Sequence, residues 1–287
     1  MRRRGAGAAV AAAAALVACG GEPGPRPTTF GGDRPVTLQV PADLDEGRRY
    51  PVVMILHGYG ANGFVQQGYL RLGDLADRED VLVLAPDGTT DSGGSQFWNA
   101  DPACCDFGQT GVDDVGYLGG VLDDVRAAWP VDPARVAVIG HSNGSFMAFR
   151  MACDRADVVT AIAGLAGLGP TAPCAPARPV HVLHIHGTAD ATVPYDGGEF
   201  AGVITPSAAA SVAAFAAHNG CTGAPAPAGT IDLDSGLPGA ETTVTVTAGC
   251  PADGAADLWT IEDGAHIPGL SAGFVDELTG WLRSHRR

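Results

Sequence analysis

Four short runs of almost unbroken apolar residues stand out along the chain: PVVMIL at 51–56, VLVLA at 81–85, RVAVI at 135–139 and VHVLHI at 180–185. Runs of this length, rich in Val and Ile, predict strands buried on both faces. Between and beyond them the apolar positions recur at helical spacing, predicting helices over 65–77, 113–128, 144–152, 207–218 and 271–284. Strand and helix alternate, so the pattern predicts an α/β fold with a mostly parallel central sheet flanked by helices on both faces. Asp113 and Asp114 stand at the start of the second helix, where they can cap it and complement its dipole. Two stretches carry neither period, 86–112 and 220–256, and are expected to be irregular. Long loops after strand carboxyl ends are where an open α/β sheet builds its site.

The amino end has a different composition. Met-Arg-Arg-Arg, an Ala/Val run and then Leu16-Val17-Ala18-Cys19 give the charged, apolar and small-residue regions of an export signal. Residues 1–19 are therefore expected to be a lipoprotein-type signal peptide ending in Cys19 as the lipid anchor. Residues 20–35, rich in Gly and Pro, are expected to be a flexible tether, with folding beginning near Val36 and one domain over 36–287. The product is exported, as a cell-surface lipoprotein or a secreted protein, touching a membrane only through that anchor. At 287 residues with 46% hydrophobic content, the chain can build a substantial core. Its formal net charge is −15 and it contains no lysine, which argues against nucleic acid as a partner. A monomer is expected.

Six cysteines remain once Cys19 is set aside: Cys104, Cys105, Cys153, Cys174, Cys221 and Cys250. An even set in an exported chain predicts disulfides. Cys221 and Cys250 flank the second irregular stretch and are expected to pair, while Cys104 or Cys105 is in a position to reach Cys153 and Cys174. The adjacent pair does not fit structural zinc spacing, so no metal is expected.

Candidate chemistry centres on RVAVIGHSNGSFMAFR at 135–150. In a chain with 41 glycines, Gly-x-Ser-x-Gly is a weak pattern, and it occurs twice. Gly269-Leu270-Ser271-Ala272-Gly273 follows a proline and opens the last helix, so Ser271 is expected to be an N-cap. Ser142 instead lies between a buried strand and a helix, on a sharp turn whose helix start favours a developing oxyanion. Ser142 is the candidate nucleophile, and the Asn143 backbone N–H is a candidate oxyanion donor. In this arrangement the order along the chain is serine, acid, histidine. His266 is the late histidine that falls on a loop; His285 falls at a helix end. Asp190, just beyond the strand ending near His186, is the candidate acid, with Asp196 its nearest rival. The loop Leu56-His57-Gly58-Tyr59-Gly60 supplies the second donor, the Tyr59 backbone N–H, with His57 orienting it. His181, His184 and His186 are expected to be core or supporting histidines, of which only the last two share a strand face.

With those residues in view, the chain resembles the secreted esterases grouped with polyhydroxybutyrate depolymerases and feruloyl or acetylxylan esterases, in the α/β-hydrolase superfamily. The resemblance rests on LHGYGANG, FWNADPACCDFGQTGVDDVGYL, GHSNGSFMAFRMAC, HIHGTADATVPY and DGAHIPG, spread over 50–270. It implies the α/β-hydrolase fold, Ser142, Asp190 and His266 as a triad, and no cofactor. It also implies that Trp98 contacts substrate. Relatives often carry a tryptophan soon after the histidine, where this chain has Ile267-Pro268, a departure that bears on the acyl or alcohol pocket. The expected activity is hydrolysis of carboxylic esters through an acyl-enzyme. The expected substrate is a polyester of the polyhydroxybutyrate kind, with feruloyl or acetylated plant polysaccharide as the alternative. A serine peptidase and a non-catalytic binder on the same fold are the other readings.

Overall fold

The structure is a computed structural model and describes residues 25–287. The expected signal segment 1–19, with Cys19 as its expected lipid anchor, lies outside the described residues. In chain order the elements are β1 (Thr29–Phe30), β2 (Val36–Thr37), β3 (Tyr50–Leu56), α1 (Gly63–Tyr69), α2 (Leu75–Glu79), β4 (Leu82–Leu84), β5 (Thr89–Thr90), β6 (Gln96–Phe97), α3 (Asp114–Ala128) and β7 (Val131–His141). They continue with α4 (Asn143–Asp154), β8 (Ala161–Leu165), β9 (His181–Gly187), β10 (Gly198–Phe200), β11 (Val203–Thr205), α5 (Ala208–Asn219), β12 (Pro225–Ile231), β13 (Thr242–Thr247), β14 (Ala256–Ile261) and α6 (Phe274–Ser284).

Eight strands form the central sheet in the order β12-β13-β14-β9-β8-β7-β3-β4. The six from β14 to β4 are parallel, and β13 and β12 extend them antiparallel. The continuous apolar runs are explained by two cores, one on each face. Along β3, Val52, Met54 and Leu56 pack into one core and Val53 and Ile55 into the other. α4 lies on the first face against β7, β8 and β3, while Phe274, Val275 and Leu278 of α6 pack into the second. Each parallel strand thus delivers its carboxyl end, and the loop that follows, to one rim of the sheet.

Several expectations are corrected. The helix expected over 65–77 is two short helices, because the chain turns through Arg71 in the left-handed region and so buries both Leu70 and Leu72. The tether expected over 20–35 is partly folded: β1 pairs with β2, Phe30 enters the core, and the Trp129 indole N–H donates to Pro27 O at 2.7 Å. The stretch 220–256 holds the β12–β13 hairpin. β12 reads PAPAGTI and sits at the sheet edge with nearly every residue exposed, where proline is tolerated and no alternating pattern is needed. Ser271 is not the N-cap of α6. That position is Gly273, and the Ser271 hydroxyl donates to Asp232 O while accepting from the Gly273 N–H.

The cysteines pair as Cys153–Cys174, Cys221–Cys250 and the adjacent Cys104–Cys105. The expected link from Cys104 or Cys105 to Cys153 or Cys174 is not made. The Cys104 sulfur lies beside Asn143, the first residue of α4, whereas Cys153 belongs to its last turn. A rise of roughly 1.5 Å per residue separates those two ends by about 15 Å.

Candidate active site

Ser142 sits where β7 ends and α4 begins, with φ 53° and ψ −119°. A serine in that region costs on the order of 1–3 kcal/mol, and the surroundings hold it there. Its N–H donates to Leu165 O at 2.8 Å, and its carbonyl accepts from the Ser145 and Phe146 amides. The flanking glycines are required by space. A Cβ on Gly140 would meet Gly144 O at 2.0 Å, and one on Gly144 would meet Leu56 O at 2.2 Å.

Two loops from neighbouring strands bring the other candidates to the hydroxyl. The loop after β14 carries His266, whose Nε2 lies 2.9 Å from Ser142 Oγ and whose Nδ1 lies 2.8 Å from Asp190 Oδ2. Because a carboxylate only accepts, Nδ1 carries the proton and Nε2 is left to accept from the serine hydroxyl. The loop after β9 carries Asp190, whose Oδ1 accepts from the Thr192 and Val193 amides at 2.8 Å each. Burial would raise the Asp190 pKa, but the His186 N–H close by and hydrogen bonds from His266 and the Val193 amide outweigh it. The carboxyl is held well below the usual carboxylate range. The Ala189 N–H donating to Gly264 O ties the acid loop to the histidine loop.

The loop of the second candidate oxyanion donor lies against the same serine: a Cβ on Gly58 would meet Ser142 Cβ at 3.4 Å. Asn143 is the first residue of α4, so its N–H has no carbonyl available within the helix. On the other loop, the Gly58 and Gly60 amides are engaged with Gln66 Oε1 and Gln96 O. Among the described residues, the Tyr59 N–H between them has no partner. His57 holds this loop: its Nε2 accepts from the Gly88 N–H, so Nδ1 carries the proton and donates to Gly58 O at 2.8 Å. Burial lowers its pKa.

The substrate-contacting role expected of Trp98 is corrected. Trp98 is fully buried, its indole N–H donates to His57 O at 3.0 Å, and its ring lies 4.9 Å from the His57 ring. The Asn143 side chain clamps its backbone from both sides, accepting from Trp98 N at 2.7 Å and donating to Trp98 O at 2.9 Å. Trp98 therefore joins the two candidate oxyanion loops through the interior. Asp113 caps α3, whereas Asp114 is buried and serves Arg34 at 2.6 Å and the Asn99 N–H at 2.7 Å, pinning the loop after Trp98.

Sequence reasoning missed His141, whose Nε2–H donates to the His266 carbonyl at 3.0 Å. Its position inside the Gly-x-Ser-x-Gly turn was the available signal. Around the site, Tyr59, Phe107 and Ile267 are exposed, and the Tyr59 and Phe107 rings meet edge-on with centroids 5.5 Å apart. A hydroxyl hydrogen-bonded to an imidazole that is held by a buried carboxylate has the parts needed for nucleophilic acyl transfer.

The family model for esterases matches residues 28–219. A Nocardia uniformis subsp. tsuyamanensis protein named as an esterase, NocK, is 31% identical over 166 residues, covering 57% of this chain and 46% of that one. A protein of Aspergillus niger named as feruloyl esterase C is 26% identical over 171 residues, covering 58% of each. The chain thus spans about half the length of the curated relatives it matches. Among solved structures, acetyl xylan esterase from Aspergillus awamori superimposes with a TM-score of 0.62 at 14% identity, covering 91% of this chain and 98% of that one. This likeness is one of fold.

Proposed function

The chain belongs to the esterase family, and we propose that it is an exported serine esterase with Ser142 as nucleophile, His266 as base and Asp190 as acid. The observation that carries this reading is the unbroken hydrogen-bond chain from Ser142 Oγ through the His266 ring to Asp190 Oδ2. His266 Nε2 takes the hydroxyl proton as Oγ attacks the ester carbonyl, and Asp190 stabilises the resulting imidazolium. The Tyr59 and Asn143 amides receive the negative oxygen. The imidazolium then protonates the leaving alcohol, and a water activated by the same ring releases the acid from Ser142.

The substrate proposed first is an aromatic carboxylic ester of the feruloyl kind on a plant polysaccharide. The name carried by the Aspergillus niger relative supports it, as do the exposed Tyr59 and Phe107 rings. A hydroxyalkanoate polyester is the second reading. It is supported by the exposure of Ile267, at 64%, beside His266, which suits an aliphatic chain lying across an open site. Export accounts for the three disulfides, which persist in oxidising compartments. With it go removal of residues 1–18 and anchoring through Cys19. Turnover of methyl ferulate, a hydroxybutyrate oligomer, a short-chain aryl ester and a peptide anilide by the full chain and by Ser142→Ala tests the proposal. Ester turnover that vanishes in the variant supports it, and the substrate turned over fastest decides between the two readings. Turnover of the anilide alone would overturn it in favour of a peptidase.

A further inference from the structure

Two histidines of β9, neither exposed to solvent, form a second hydrogen-bonded chain behind the proposed acid. His184 Nε2 lies 3.0 Å from His186 Nδ1, and His186 Nε2 lies 2.8 Å from Val193 O and 3.2 Å from Asp190 Oδ2. The proton positions follow from the partners. A carbonyl only accepts, so His186 carries its proton on Nε2, and its bare Nδ1 accepts from the His184 Nε2–H. His184 Nδ1 is then an acceptor, buried and without a partner. The chain therefore runs in one direction, from a dry interior toward the carboxylate.

Val193 is the point at which this chain meets the site. Its N–H donates to Asp190 Oδ1, while its carbonyl receives the His186 proton. The peptide groups on both sides of Val193 are thus fixed, one by the acid and one by the histidine, and the turn 190–193 is held at its far end by a side chain of the sheet. The same Nε2–H points its positive end near Asp190 Oδ2, the oxygen that also accepts from His266. The other titratable groups facing the pair are Tyr195, whose ring centroid is 5.7 Å from that of His186, and His141 on the far side of His266.

We propose that His186 is a positioning residue for the reaction: it holds the Asp190 turn through Val193 and shares the Asp190 carboxylate with His266, so that the acid neither rotates away nor draws too strongly on the base. The inference rests on the triad reading given above. It also accounts for the HIH spacing, which puts both rings on one sheet face and gives His186 a donor behind it.

His186→Phe keeps an aromatic ring but removes the donor, whereas His186→Gln can return an N–H near the Nε2 position. The expected result for the Phe variant, with a short-chain aryl ester, is a fall of roughly tenfold to a hundredfold in kcat with KM little changed. That is a fraction of the about 10⁴ lost when a triad carboxylate is itself neutralised. The acid limb of its kcat/KM profile moves to higher pH, because the carboxylate then interacts with His266 alone and favours the imidazolium. The Gln variant recovers most of the rate and the wild-type limb. Circular dichroism and thermal melting establish that both variants are folded, and if the Phe variant is not, His186→Leu takes its place. A folded Phe or Leu variant with the wild-type limb and rate, in a protein whose Ser142→Ala form is inactive, would overturn the role of His186 and leave the triad standing. Activity that survives Ser142→Ala would instead remove the reading on which it rests.

Discussion

The His141 ring donates its Nε2–H to the backbone carbonyl of His266 at 3.0 Å. The residue immediately before the proposed nucleophile thus holds the loop of the proposed base, and the strand-to-helix turn carries both the hydroxyl and the support for its partner. Burial keeps this ring neutral, with its pKa pushed down to about 4. His141→Ala, which deletes the tie and leaves Ser142, His266 and Asp190 in place, is expected to lower kcat more than it raises KM. Steady-state kinetics on an aryl ester check this, since a change in KM alone would assign His141 to substrate binding.

Asp190→Asn is expected to reduce kcat by about 10⁴ with KM nearly constant, because an amide cannot hold His266 in the tautomer that leaves Nε2 free. Single-turnover and steady-state rates with the same ester measure it. A loss of tenfold or less would mean that another group, such as Asp196, supplies the acid.

Trp98→Phe should lower the thermal midpoint while leaving KM unchanged. It removes one buried donor to His57 O, worth about 1 kcal/mol plus the cost of an unpaired carbonyl. A variant with an unchanged midpoint and a raised KM would return Trp98 to the substrate-contacting role that the resemblance implies.

Acid should destabilise the fold in a defined window. Burial pushes His141 and His181 down to about 4, and His184 further below its ordinary value. In the unfolded chain the same rings take up a proton near pH 6.5, about the model-peptide value. Below that pH the unfolded state binds more protons than the folded one, so stability is lost as the pH falls from about 6.5 toward 4. Asp190, held below the carboxylate range, adds a loss only at still lower pH. Thermal midpoints measured between pH 8 and 4 check this, and a flat profile across the window would contradict it.

The parts of this fold that were legible in the sequence are those where one local rule and the tertiary structure agree. Runs such as VVMIL are buried on both faces, so a continuous apolar pattern suffices to locate β3. Ser142 could be told from Ser271 because a buried strand precedes only the first, and the chain meets His266 and Asp190 at loops after strand ends. What was not legible depends on contacts between distant segments. The loop of Cys104 and Cys105 sits at the start of α4, about 15 Å from Cys153 in its last turn, so the expected link is not made. The resemblance implies a substrate-facing Trp98, yet Asn143 and His57 hold it in the interior. The β12–β13 hairpin escapes pattern reading because an exposed edge strand needs no apolar alternation.

Labelling with a fluorophosphonate, followed by peptide mass spectrometry, tests the role of Ser142 as nucleophile, because the reagent needs an activated serine and no knowledge of the natural ester. One adduct per chain is expected, on the peptide containing Ser142, lost in Ser142→Ala and strongly slowed in His266→Ala, with none on Ser271. A folded protein that takes no label, or takes it on another serine, would contradict it.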